Sequence, residues 1–190
     1  MNPPGETDVL PIAFCSNLLD ATAEAKDVDS AMRQIDAFRR LVVGPGVFSI
    51  NLNVTTADDP VNEVQLQRFY SSNAGEFPVA GRKRKALTPW TDTLFIQGQV
   101  FVAEGGHVLA EVFDDYERMA PLGLDAAINV PILKANTCIA TFNVFGTRGR
   151  WQAHEVLAAR LLAALAARWV TPAPDLHYSL NSIHFHGGKK

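Results

Sequence analysis

Leu124–Trp151 reads LDAAINVPILKANTCIATFNVFGTRGRW, and its patterning decides the fold. Ala127, Asn129, Pro131 and Leu133 fall on one face of an extended segment, and Ile128, Val130 and Ile132 on the other. This period of two marks a strand. Ala135-Asn136 forms a turn, after which Cys138, Ala140, Phe142 and Val144 alternate with Ile139, Thr141, Asn143 and Phe145. The stretch predicts a hairpin that runs into a helix. Each strand carries one central asparagine, Asn129 and Asn143. Asparagine is depleted in strands, so the pair marks either a buried polar site or a structural bond.

Outward from the hairpin, Trp151–Val170 predicts a helix with Val156, Leu157, Ala159, Leu161, Leu162, Leu165 and Trp169 apolar. So wide an apolar arc packs on more than one surface. The sheet is one partner; the other is an N-terminal helix, the same helices of a second subunit, or both. Ser30–Val43 places Met32, Ile35, Phe38, Leu41 and Val42 at helical spacing, with Asp29 or Ser30 as cap and Gly44 as stop. Ala13–Lys26 can form a further helix. Val47–Thr55 and Val64–Ser71 alternate, and predict an antiparallel pair across the polar turn at 57–60. Ser72–Pro89 lacks periodicity and holds two Gly and two Pro, yet carries Phe77, Val79 and Leu87. It reads as an ordered loop laid over the core, a kind that is usually functional. Its basic run, Arg82–Lys85, is a solvated loop or, less often, an anion site. Thr88-Pro89 opens a short helix over Trp90–Gln97. A short central strand follows at Val100–Ala103, a strand or short helix at Val108–Phe113, and a helical turn at Asp114–Leu122 ended by Gly123. In the tail, 171–190, the segment LHYSLNSIHFH can add an edge strand.

The chain has 190 residues, of which 47% are hydrophobic, which suits one domain with a full core. A net charge of −3 gives no global electrostatic case for nucleic acid. Two cysteines and no CxxC pair argue against a disulfide scaffold or zinc site. The N-terminus lacks a signal-peptide pattern, and the most apolar helix is interrupted by Arg160 and Arg168. No membrane span is expected, and a reducing, cytoplasmic setting is the default. The order of elements gives an α+β fold, an antiparallel sheet flanked by helices.

The chain also resembles a GAF domain, a PAS-like fold. The resemblance rests on Trp90 opening a short helix, Phe101-Val102, Phe113-Asp114-Asp115 and Leu122-Gly123-Leu124. It continues through Ile128-Asn129-Val130-Pro131-Ile132, Ala140-Thr141-Phe142-Asn143-Val144 and the closing helix. Ala140 stands where the family phrase usually has glycine. The likeness spans 30–170, with 1–29 as a separate N-terminal segment. Arg68–Lys85 is similar to the loop of a subgroup of small, stand-alone proteobacterial GAF-like proteins. The resemblance implies a central antiparallel sheet with the N- and C-terminal helices on one side. Covering loops and short helices lie on the other. It further implies a small-molecule pocket, a homodimer through the terminal helices and no attached output domain.

Tyr70, Ser71, Arg82, Trp90, Asp114, Asn129 and Asn143 are the candidate ligand contacts. Arginine holds carboxylate or phosphate at two points, and Trp and Tyr stack on flat ligands, so a small acidic or aromatic metabolite suits the set. Each has a structural alternative. The asparagines can bond each other, Trp90 can plug the core, and Asp114 and Asp115 can cap a helix. Tyr70 and Ser71 point to opposite faces of one strand. Enzyme readings, a small hydrolase or isomerase, are weaker. Cys138 has no base beside it in sequence, and the cysteine sets of free methionine sulfoxide reductases and of bilin-binding relatives are lacking. No cofactor is expected. His184 and His186 form a His-x-His pair with weak potential for a metal. A structural or partner-binding module without ligand is the third reading.

Overall fold

The computed structural model describes residues 10–79 and 81–181. Six antiparallel strands form one sheet in the order β3-β2-β1-β6-β5-β4. They are β1 (Gly46–Asn53), β2 (Glu63–Ser71), β3 (Arg82–Ala86), β4 (Phe101–Glu104), β5 (Ala126–Lys134) and β6 (Thr137–Gly146). Helices α1 (Ile12–Glu24), α2 (Val28–Val43) and α6 (Ala153–Ala166) lie on one side. The other side is covered by α3 (Pro89–Thr91), a π-helical turn at Asp92–Ile96, α4 (Gly106–Val112) and α5 (Tyr116–Met119).

The opening hairpin folds as its pattern demands. Ala135 and Asn136 both take positive φ, 47° and 65°, as a two-residue turn matched to strand twist requires. Ile128, Val130, Ile132, Phe142 and Val144 face the helices, where they meet Met32, Ile35 and Leu162. Ala127 and Phe145 face the cover. A bulge between Ile132 and Leu133 makes Cys138, not Ile139, the partner of Leu133. Cys138 therefore turns to the cover side while Ile139 joins the helix-side core, which corrects the strict alternation.

α6 packs on both β5 and α2. Its buried face is mostly alanine, Ala158, Ala159, Ala163 and Ala166, which lets the backbones approach closely. The cap of α2 is Asp27, rather than Asp29 or Ser30. Asp27 Oδ1 accepts from the Ser30 N–H at 2.7 Å, and Ser30 Oγ answers from the Asp27 N–H at 3.2 Å. Near the other end of α2 lies Arg39, fully buried. Its guanidinium donates to Asp36 Oδ1 and to the carbonyls of Gly44 and Gly46, which ties the end of α2 to the start of β1.

Three expectations change. The basic run is not a loop but the edge strand β3, paired to β2 from Gln67↔Arg82 to Glu63↔Ala86. The short strand at Val100–Ala103 is not central; as β4 it forms the opposite edge. Val108–Phe113 resolves as the helix α4. In the tail, 171–181 holds no strand but is pinned to the body. The His177 N–H donates to Thr55 O at 2.9 Å, and Tyr178 Oη accepts from the Cys138 N–H at 3.0 Å. The remainder of the tail, with His184 and His186, lies outside the described residues.

Candidate functional site

A small cleft of about 50 Å³ opens on the cover side of the sheet. Its floor comes from Val47 and Ser49 of β1, Leu66 and Arg68 of β2, and Asn143 and Phe145 of β6. Trp90, Phe77, Phe113 and Met119 supply apolar walls, and Lys83, Lys85 and Asp115 close one side.

Strand geometry sets the charges. Val64, Leu66 and Arg68 alternate onto one face of β2, so Arg68 continues an apolar row. The register pairs Leu66 with Lys83 and Val64 with Lys85, which puts both lysines on that same face. Arg82 and Arg84 consequently point the other way. Arg82 bonds Asp59 and the Val54 carbonyl, and Arg84 bonds Glu63. Across the cleft, Lys83 Nζ donates to Asp115 Oδ2 at 2.7 Å and Lys85 Nζ to Asp114 Oδ2 at 2.6 Å. Arg68 is less well matched. Its Nη1 donates to Pro78 O at 3.3 Å, its guanidinium lies 5.6 Å from the Phe77 ring centre, and its buried Nε has no partner among the described residues.

Burial lowers the Arg68 pKa from its ordinary value, partly opposed by the charge of Asp115, but a guanidinium stays protonated. For Asp115, burial pushes the pKa up, yet the bond from Lys83 and the charges of Lys83, Lys85 and Arg68 outweigh it. The net direction is down, and the carboxylate is ionised.

The two asparagines form a directed chain. Trp90 Nε1–H donates to Asn129 Oδ1 at 3.0 Å, and Asn129 Nδ2 donates to Asn143 Oδ1 at 2.8 Å. Asn143 Nδ2 then donates to Thr141 O at 3.1 Å and Ser49 O at 3.4 Å. Asn129 and Asn143 face one another directly in the β5–β6 register. The chain fixes the indole, which lines the cleft, from behind.

Of the seven candidate contacts, the structure brings Trp90 and Asn143 to the cleft. Asn129 lies fully buried behind Trp90, and Asp114 sits at the rim with its side chain 84% exposed. Neither Asp114 nor Asp115 caps α5 with its side chain. Tyr70 is elsewhere: a bulge between Ile50 and Asn51 leaves it opposite Ile50, stacked on Phe48 on the helix side. Ser71, opposite Ser49, accepts from the Asn73 N–H and does not line the cleft. Arg82 faces away. Sequence reading missed Arg68, and noted Lys83 and Lys85 only within the basic run, as a solvated loop or an anion site.

Cys138 is fully buried on the cover side, and desolvation pushes its thiol up to about 12. A group held so firmly as thiol is a poor nucleophile. Among the described residues, no three His, Cys, Asp or Glu side chains gather as a metal site.

A six-stranded antiparallel sheet, with helices on one side and a cleft under short covering elements on the other, defines a GAF-like, PAS-like α+β domain. The GAF domain family model matches residues 18–168, and the chain belongs to that family. The GAF domain of a phosphoenolpyruvate-protein phosphotransferase from Coxiella burnetii is similar, with TM-score 0.57 and 13% identity over 82% of this chain and 90% of that one. The A. aeolicus nlh2 GAF domain in an inactive state gives TM-score 0.57 and 10% identity over 83% and 93%. The chromophore-binding domain of a bacteriophytochrome from R. palustris gives TM-score 0.52 and 14% identity, covering 82% of this chain but only 59% of that one. Longer bacteriophytochrome chain from the same bacterium is spanned over 38% of its length. These likenesses carry the fold. No curated protein matches the chain. Among the described residues, no helix is long and apolar enough to cross a membrane.

Proposed function

We propose that this GAF domain binds a small organic anion with a flat apolar body in the cover-side cleft, as the sensing element of a signalling response. One observation carries the reading. Three cations, Arg68, Lys83 and Lys85, against the single carboxylate of Asp115, line a cleft walled by Trp90, Phe77 and Phe113. A guanidinium with an unused buried N–H favours an anionic partner. The aromatic walls favour a planar one.

The test is a thermal-shift screen of purified protein against aromatic acids, aliphatic acids and nucleotides, preceded by native mass spectrometry for a co-purified ligand. A compound that binds only the folded state raises the midpoint. Aromatic acids are expected to do so in the native protein and to lose the effect in Arg68→Met. A panel without any shift would sink the reading.

The cleft volume of about 50 Å³ also supports a second reading, a partner-binding module whose pocket is vestigial, because small-molecule sites usually span ~300 Å³ or more. The ligand screen separates the two. For self-association, α6 leaves Leu157 and Leu161 exposed at one helical spacing, and α1 leaves Ile12 and Leu19 exposed. Apolar surface of this kind suits a homodimer through the terminal helices. Sedimentation of Leu161→Glu beside the native chain tests it, with a fall to monomer mass expected. Two free cysteines suit a reducing, cytoplasmic compartment.

A further inference from the structure

Asp115 has no local structural duty. It stands before α5 without capping it through its side chain, and its carboxylate instead reaches across the cleft to Lys83 Nζ at 2.7 Å. There it also lies within the electrostatic reach of Lys85 and Arg68. Asp115 lines the cavity, and its side chain is only 22% exposed. The neighbouring Asp114 pairs with Lys85 from outside and is 84% exposed. The cleft thus holds one inward carboxylate against three cations, one of which, Arg68, keeps a buried N–H unpaired.

We propose that Asp115 is an internal stand-in for the ligand's anionic group: it pairs with the cation cluster across the closed cleft, and a ligand carboxylate or phosphate displaces it. The inference rests on the cleft being the ligand site. The cavity size supports it. About 50 Å³ admits a few waters, not an aromatic acid, so a ligand enters only when a wall moves. The Lys83–Asp115 bond is the inward of the two ion pairs closing that wall, the outer being Lys85–Asp114. Breaking it frees Lys83 for the incoming anion and returns Asp115 to water. The exchange swaps one ion pair for another, so affinity is set by the difference between them and not by the whole attraction. It also gives the domain a signal. With the anion bound, Phe113–Met119 loses one of its two tethers to β3 and keeps only the exposed Lys85–Asp114 pair, and a surface segment changes its mobility in response to ligand.

The experiment titrates benzoate, phenyl phosphate and the neutral control benzamide into native protein, Asp115→Asn, Asp114→Asn and Arg68→Met at constant ionic strength, by calorimetry. If the closed state dominates, removing the competitor raises apparent affinity by the inverse of the open fraction, roughly tenfold for an open fraction of about one tenth. Asp115→Asn is expected to bind an anion about tenfold tighter than native, with benzamide far weaker than either anion in both proteins. Whichever of benzoate and phenyl phosphate binds tighter assigns the anion as carboxylate or phosphate. An equal gain in Asp114→Asn would mean bulk charge is responsible, and would overturn the proposal. Equal binding by native and Asp115→Asn, with weakening only in Arg68→Met, would keep the cleft as the ligand site but remove Asp115 from its role. Failure of native and Asp115→Asn to bind either anion would overturn both. A second readout needs no variant. Amide exchange over 113–119 in native protein should quicken on saturation with phenyl phosphate; slower exchange would mean the ligand adds to the closed cleft without displacing Asp115.

Discussion

Replacing Asn129 with leucine isolates the Trp90–Asn129–Asn143 chain. Leucine keeps the branched heavy-atom skeleton, with methyls bulkier than the amide groups, so the main loss is one of hydrogen bonding. Asn129 is fully buried and serves two neighbours. Its removal leaves the Trp90 N–H, on a residue 5% exposed, without an acceptor. It also leaves Asn143 Oδ1 without a donor, although that oxygen lies at the cleft and can take water. An orphaned buried group costs about 1–3 kcal/mol, and the second, partly hydrated one costs less. Burying leucine returns about 1–2 kcal/mol of apolar transfer. The net expectation is a loss of about 1–2 kcal/mol, which a urea slope of about 2 kcal/mol/M converts to a midpoint shift of ~0.5–1 M. The melting midpoint should fall by about 2–8 °C. The decisive measurement is the double-mutant cycle with Trp90→Phe, which deletes the indole N–H. If the bond is the cause, the double variant is more stable than the two single losses predict, by about 1 kcal/mol. An Asn129→Leu protein within about 0.5 kcal/mol of native, or a cycle with no coupling, would refute the chain as the element that holds Trp90.

Arg39→Met should lower stability by about 3 kcal/mol, because the carbonyls of Gly44 and Gly46 lose a donor and Asp36 keeps only the exposed Arg40. A urea midpoint close to native would refute that role. Cys138, its thiol pushed up to about 12 by burial, should resist an aromatic disulfide reagent at pH 8 until the protein unfolds, while half-buried Cys15 reacts in the native state. Rapid titration of both thiols would contradict it. The Asp115 pKa lies below its unfolded value, so its contribution to stability is complete above the ordinary carboxylate range and is lost as pH falls through the folded pKa. The facing charges are Lys83 and Lys85 of β3 and Arg68 of β2. Asp115→Asn should therefore lose less stability than native between pH 6 and pH 3 in urea titrations, and an identical acid loss would remove the ion pair from the account.

The hairpin was legible because a period of two runs through both strands, one face almost wholly apolar and the other carrying the asparagines, across a recognisable two-residue turn. The helices were legible for the same reason at a period of 3.6. β3 was not, because Arg82–Lys85 has no apolar face to read. Its pairing depends on partners distant in sequence: Asp59 and Glu63 on one side of the strand, Asp114 and Asp115 on the other. Lysine and arginine carry no strand preference strong enough to reveal that. The two bulges were equally hidden, since each moves a residue across the sheet without changing composition. One of them carried Tyr70 off the face that holds Val64, Leu66 and Arg68.

The site was partly readable, and the reason it was misread is instructive. Arg82 stood out because it sits beside glycine in a loop-like stretch, but once β3 is a strand its odd and even positions separate. Arg82 and Arg84 then answer acidic groups around the β1–β2 turn, and Lys83 and Lys85 face the cleft. Arg68 carried the better signal. It follows Val64 and Leu66 at a spacing of two, so it continues an apolar row onto the covered face of the sheet. A charge in such a row must find a partner or lie at a cavity, because burying it alone is costly. Here it does some of each: one weak bond to Pro78, a ring beneath it, a place in the cleft lining, and a buried N–H left over. An interrupted apolar period is therefore a sharper pointer to this cleft than the count of basic residues nearby.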